Sequence, residues 1–343
     1  MNDHQWQQAQ NAIAGKADSG VPVGFIIDSP WLPGWFGISI LDYFTNDELW
    51  FESNKKVVET FPDVIFLPGF WAEYGMCTEP SAFGAKCSFP RNEFPHADKV
   101  IYSADDIDQL AVPNPEKDGL APFIINRLRI NRKNIEKLGH KIRFAVARGP
   151  LNIASFLMGT TEFLIALRTD IDKVHKLLET ITEYVIKWLR LQKQEFDTID
   201  GILILDDIVG FCGEQDFQDF AFPYLKRIYN SFDASVRFLH NDAEGRVCAA
   251  HLSSLGINMF NFSFLHSLEQ MKEWTQNNVV LVGNIPPRDV LAAGSPDDVR
   301  KSVHQALTTL DDLRYVILSC GGGMPDGVST ENIKAFTQAA RKH

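Results

Sequence analysis

His240 and Asp242 lie two residues apart in the stretch Ser235-Val-Arg-Phe-Leu-His240-Asn-Asp242. On an extended segment, side chains two apart point the same way. An imidazole and a carboxylate so placed can grip one ion or one substrate. A second stretch, Arg314-Tyr-Val-Ile-Leu-Ser-Cys320-Gly-Gly-Gly, ends on a thiol in the same manner. A His/Asp/Cys set delivered by strand ends is a candidate zinc site. The alternative is a hydrogen-bonded polar cluster without metal. Either reading needs a scaffold that brings two distant strand ends together.

Eight apolar runs of strand length supply that scaffold: Pro22–Ile27, Val64–Leu67, Ile142–Ala147, Gly201–Leu205, the run into His240, Gly256–Phe262, Asn278–Val282 and Arg314–Ser319. Most are separated by a helical pattern. The clearest spans Asp170 to Lys193, where Ile171, Val174, Leu178, Ile181, Val185 and Trp188 recur at helical spacing. Alternation of this kind predicts a (β/α)8 TIM barrel, a single domain over 1–343. A helical extension ending at Gly20 precedes the first strand, and Thr45-Asn-Asp-Glu48 reads as a capping box opening a helix to Thr60. An open doubly wound sheet is the alternative, but no Gly-x-Gly-x-x-Gly follows the first strand.

Active sites of such barrels gather where strands end. The strand-end residues here are Asp28, Arg148, Asp206, Asp207, His240, Asp242, Ser263, Asn284 and Cys320. Of the aspartate pair, one is expected to face the pocket and the other to cap the next helix. Arg148 reads as an internal ion-pair partner or a substrate clamp. A long irregular loop follows the second strand, from Pro68 to Lys99, and holds Glu73, Cys77, Glu79, Cys87 and His96. Glu73 is a candidate fourth metal contact or acid. Cys77 and Cys87 are too widely spaced for a zinc knuckle. Trp31, Trp35, Phe36 and Phe70 sit in Pro- and Gly-rich loops. They suit a pocket wall for an apolar ligand or packing on a neighbouring helix.

The net charge of −11 argues against a nucleic-acid or anionic-membrane partner. No apolar run reaches the length of a membrane span, and the polar N-terminus lacks the pattern of a secretion signal. Five widely spaced cysteines do not form a disulfide framework. These features predict a cytoplasmic protein. A homodimer is compatible with the sequence, which does not fix the assembly.

From Pro22 to Lys342 the chain resembles the uroporphyrinogen decarboxylase superfamily. The matching pieces are Arg148-Gly-Pro-Leu-Asn-Ile-Ala-Ser155, Asp206-Asp-Ile208 with Phe222-Pro-Tyr224, His240-Asn-Asp242 with Gly256-Ile-Asn258, Val282-Gly-Asn-Ile-Pro286, and Cys320-Gly-Gly-Gly-Met-Pro-Asp-Gly-Val-Ser-Thr-Glu-Asn332. The resemblance implies one of two activities. One branch decarboxylates uroporphyrinogen without a cofactor, meeting its many carboxylates with arginines after the first strand. This chain has Asp28-Ser-Pro-Trp31-Leu-Pro-Gly there, and its second strand ends Phe66-Leu-Pro-Gly69 without the aspartate decarboxylases use. The other branch uses zinc to move methyl groups to or from a corrinoid carried on a partner protein. Its thiol-active members carry His-x-Cys on the fifth strand and Cys on the eighth; here the pair is His240-x-Asp242, with Cys320 in place. A carboxylate in place of a thiolate makes the site harder. The resemblance therefore implies metal ligands His240, Asp242 and Cys320. Glu73 or Asp207 would be the acid, and Trp31, Trp35, Phe36, Phe70 and Arg148 would line the substrate site. The substrate would be a small methylated compound, a methoxylated aromatic above all, and the partner a corrinoid-binding protein. A non-catalytic barrel binding a small aromatic ligand is the reading from another class.

Overall fold

The computed structural model describes residues 1–16, 20–27 and 30–342. Eight parallel strands form the barrel wall: β1 (Gly24–Ile26), β2 (Ile65–Leu67), β3 (Phe144–Arg148), β4 (Gly201–Leu205), β5 (Val236–Asn241), β6 (Met259–Phe262), β7 (Val280–Ile285) and β8 (Val316–Cys320). Strands β3 to β8 pair in chain order, and β1 pairs with β2. A parallel bridge between Val23 and Leu318 joins β8 back to β1. Strand-end Asp28 lies outside the described residues.

Each strand shows one row of side chains to the barrel interior and one to the helices, because successive residues point to opposite faces. The interior row runs Ile26, Ile65, Leu67, Phe144, Val146, Leu203, Leu205, Val236, Phe238, Met259, Val280, Val282 and Ile317, one contiguous apolar cluster. The outward row, with Phe25, Phe66, Ala145, Ile204, Leu239, Phe260, Leu281 and Leu318, packs under the helices in a second cluster. The helix Asp3–Ile13 belongs to the interior cluster through Trp6, Ala9 and Ala12. Trp6 meets Phe144, at the start of β3, edge-on at 5.4 Å, so this helix plugs the floor of the barrel. It ends at Ile13, short of the expected Gly20.

No ladder joins β2 to β3 among the described residues. An open strand edge leaves backbone groups without partners. Here side chains take their place. Gln192, on the helix Ile171–Glu195, accepts from Val146 N at 2.9 Å and donates to Val146 O at 2.9 Å. Glu79 accepts from Arg148 N at 2.9 Å. Glu79 comes from the long loop, which is not wholly irregular: it contains the helix Thr78–Ala82 and an antiparallel ribbon pairing Cys87–Ser88 with His96–Ala97. The loop thus seals the seam of the barrel.

One further expectation is corrected. The helix Asp47–Thr60 is capped by Asn46, not Thr45, with Asn46 Oδ1 accepting from Glu48 N and Leu49 N. The helical stretch between β4 and β5 is interrupted by a π turn at Phe217–Ala221, before Pro223 near the start of the helix Phe222–Asn230. Among the described residues, no single helix is long and apolar enough to cross a membrane.

Candidate active site

The inward row continues past the apolar core to the strand ends, where its residues are polar. By parity, Arg148 extends Phe144 and Val146, Asp207 extends Leu203 and Leu205, and His240 and Asp242 extend Val236 and Phe238. Asn261 follows Met259 in the same way. Three of these converge: one ligand atom each from Asp207, His240 and Asp242 lie within 4.8 Å of one another. His240 Nε2 is 3.6 Å from Asp207 Oδ1. Two ligands each about 2.1 Å from a tetrahedral ion stand roughly 3.4 Å apart, so this spacing suits a shared cation.

The amide of Asn261 fixes which nitrogen faces the carboxylates. His240 Nδ1 lies 2.7 Å from Asn261 Oδ1. The Asn261 amide nitrogen donates to Val282 O at 2.7 Å and to Cys320 O at 3.4 Å, so its oxygen must be the atom turned to His240. An oxygen acceptor there puts the proton on Nδ1. The lone pair of Nε2 is left facing two carboxylates. A cation or a proton must sit between them, and a neutral imidazole held this way is the form that binds metal. The Asp242 carboxyl is exposed at the rim. It is held above the usual carboxylate range by desolvation at the mouth and then by Asp207, while His240 pulls it down.

Asp207 is oriented in turn. Its Oδ1 accepts from Asp242 N at 3.1 Å, and its Oδ2 from Asn152 Nδ2 at 3.4 Å. Asn152 Oδ1 accepts from Asp207 N and Ile208 N, both at 3.1 Å. Asp206 belongs to the outward row, with Ile202 and Ile204, and faces the helix layer. Its two oxygens accept from Leu151 N and Asn152 N at 3.0 Å each. Asp206 thus caps the preceding helix, Pro150–Met158, rather than the next one. Burial pushes its carboxyl up to about 8 against those two donors. Gly149 is required beside it, since a Cβ there would fall 2.1 Å from Asp206 Oδ2.

Arg148 pairs with both loop glutamates, Glu73 at 3.0 Å and Glu79 at 3.5 Å. Glu73 Oε1 is buried without a hydrogen-bond partner among the described residues. Burial raises the Glu73 carboxyl above its ordinary value, and Arg148 only partly opposes that. An oxygen with no donor near it is the natural seat of a proton.

The remaining site expectations fall elsewhere. Cys320 is not brought into the Asp207–His240–Asp242 group. On β8 the inward places belong to Ile317 and Ser319; Cys320 lies in the outward row with Val316 and Leu318. Its thiol donates to Gly322 O at 3.6 Å, and burial pushes it up to about 12. The chain beyond it still passes the site: a Cβ on Gly322 would come within 3.0 Å of Asp242. Trp31 is fully buried and donates to Val328 O at 2.9 Å, while Trp35 stacks on it and donates to Thr330 Oγ1 at 3.0 Å. These indoles fasten the short helix Trp31–Phe36 to the chain's last helix, Thr330–Ala340. Phe36 lies under Lys56, and Phe70 packs among Trp50, Phe51 and His140. Asn152, Glu79 and Asn261 went unassigned in the sequence. Asn261 did carry a signal, as an amide inside an apolar strand, where a polar group needs a partner.

A parallel eight-stranded barrel with a polar, anionic mouth defines the class. Residues 35–343 match the family model described as uroporphyrinogen decarboxylase (URO-D). The chain belongs to the uroporphyrinogen decarboxylase family. Curated relatives include the uroporphyrinogen decarboxylase of Pseudoalteromonas atlantica, 23% identical over 78% of this chain and 76% of its own length. That of Xanthomonas campestris is 24% identical over 88% of this chain and 87% of its own. Among solved structures, a methyltransferase from Methanosarcina mazei superposes with a TM-score of 0.82 at 21% identity, covering 98% of both chains, and shares the fold.

Proposed function

We propose that this protein is a methyltransferase. It would take a methyl group from a small methylated substrate, a methoxylated aromatic first, to the Co(I) corrinoid of a partner protein in the cytoplasm. The observation that carries the reading is the Asp207–His240–Asp242 group, with His240 Nε2 turned by Asn261 toward two carboxylates. This donor set fits a zinc ion, with Asp207 in the place expected of Cys320. When bound, zinc would supply a Lewis acid for the substrate oxygen.

The chain's own residues have separate tasks. Asn261 and Asn152 hold the imidazole and the Asp207 carboxylate in the ligating orientation. Glu73, whose buried carboxyl is held above its ordinary value, is the acid for the leaving oxygen in this reading, and Arg148 keeps that side chain in place. The mouth itself selects against polyanions. Arg148, the cation on its inward row, is already paired with two glutamates, while Asp207 and Asp242 face the opening.

The test is methyl transfer from methoxyarenes to a Co(I) corrinoid protein, followed by its absorbance, beside the zinc content of the purified protein. The reading predicts about one zinc per chain and transfer that stops in the Asp207→Asn and His240→Ala variants. Zinc without transfer from any methoxyarene, but with transfer from a thiol or amine, overturns the substrate and leaves the reaction. A metal-free protein that decarboxylates uroporphyrinogen overturns both. That second reading is favoured by the curated relatives, which are named as uroporphyrinogen decarboxylases.

A further inference from the structure

The five cysteines are not equivalent. Cys212, Cys248 and Cys320 are each buried, and their thiols contact backbone carbonyls or an amide rather than one another. Cys77 and Cys87 meet. Cys87 Sγ lies 4.0 Å from Cys77 O, and each thiol shifts the ionisation of the other. They are ten positions apart, and the helix Thr78–Ala82 with the ribbon strand Cys87–Ser88 folds the loop back so that the two residues meet. Neither thiol takes part in the proposed methyl chemistry.

We propose that Cys77 and Cys87 are a redox-modifiable pair, converted reversibly to an intraloop disulfide by exchange with a small-molecule disulfide such as oxidised glutathione. The two thiols have different access. Cys77 is fully buried, whereas Cys87 is half-buried and reachable. Cys77 beside it holds the Cys87 thiol below its ordinary value, while Cys87 and burial push the Cys77 thiol up. Cys87 is therefore the attacking sulfur. Its thiolate attacks one sulfur of oxidised glutathione, the glutathione S–S bond breaks, and one glutathione thiolate leaves. The Cys77 proton passes to the departing thiolate. Cys77 then attacks Cys87 Sγ, and the second glutathione leaves as its thiolate and takes a proton from water. The protein loses two hydrogens, and one oxidised glutathione becomes two reduced ones.

The position gives the modification a target. Cys77 precedes the helix that carries Glu79, and Glu79 closes the β2–β3 seam on Arg148 N. Thr78 Oγ1 accepts from Tyr74 N at 2.9 Å, next to Glu73. Linking the two sulfurs ties down the loop that presents both glutamates to Arg148.

The experiment is independent of the methyl-transfer reading. The full chain is equilibrated with oxidised glutathione, free thiols are blocked, and the denatured protein is mapped by mass spectrometry. Thiols should fall from five to three, with no glutathione retained and full recovery on dithiothreitol. The disulfide-linked peptides should be those of Cys77 and Cys87. Cys87→Ser should keep its remaining thiols reduced, and Cys77→Ser should stop at a glutathione adduct on Cys87. Since the buried Cys77 variant can misfold, Cys87→Ser with peptide mapping of the unmutated protein decides alone. Five thiols surviving, a lasting adduct on Cys87 in the unmutated chain, or equal oxidation in Cys87→Ser overturns the proposal.

Discussion

Two amides and an arginine decide what the acidic and basic groups at the mouth can do. Asn261 carries no charge, yet it sets the tautomer of His240, because its own nitrogen is committed to Val282 O and Cys320 O. Asn261→Leu keeps the shape and removes that constraint. Zinc affinity should fall about 10–100-fold, as for other outer-shell partners of metal-bound histidine. Chelator competition measures this, with circular dichroism to confirm the fold; unchanged affinity would remove Asn261 from the site. Arg148 is the counterpart for the buried glutamates. Arg148→Met leaves Glu73 and Glu79 buried beside each other without a cation. The loss should be about 3–5 kcal/mol in denaturant unfolding at neutral pH.

At the scale of elements, the turn after β4 and the helix Pro150–Met158 are built as one latch. Asp206 and Asn152 exchange hydrogen bonds across it, and Gly149 leaves the room. Burial raises the Asp206 carboxyl from 3.8 to about 8 in the folded protein. Between those values the unfolded chain has released the proton that the folded chain still holds. Stability from this group is therefore complete below about pH 4 and declines as pH rises toward 8. Asp206→Asn cannot ionise. Its unfolding free energy should be flatter across that window than that of the unmutated protein, in urea titrations at a series of pH values. A parallel pair of curves would show that Asp206 is ionised in the fold.

For the whole molecule, stability and chemistry sit at opposite ends of one barrel. The floor is closed by the N-terminal helix, whose Trp6 packs against Phe144 and Gly201. Trp6→Ala should cost about 3–5 kcal/mol of unfolding free energy. It should leave zinc affinity in the folded fraction unchanged, because the proposed ligands Asp207, His240 and Asp242 stand at the strands' other ends. A specific loss of metal binding in that variant would show that the floor and the mouth are coupled. Zinc added at about 100 times its dissociation constant should stabilise the protein by about 2.7 kcal/mol, read from the same denaturation curves.

The order of elements is legible in the chain because period and punctuation are local: eight apolar runs separated by helical patterns are enough for the barrel. The pairing of His240 with Asp242 was legible for the same reason, being two residues apart on one strand. The row taken by Cys320 was misread: it was expected as a ligand, but Ile317 and Ser319 occupy the interior row of β8 and leave it outside. Other features came from residues far apart in sequence. Asp207 joining His240, Asn261 choosing the nitrogen, Glu79 and Gln192 sealing an open strand edge, and Cys77 meeting Cys87 each depend on how loops close over the barrel. Periodicity fixes which way a side chain points from its own strand. Only the packed structure fixes what stands opposite it, because that partner is chosen by distance in space and by the demand that buried polar groups be paired.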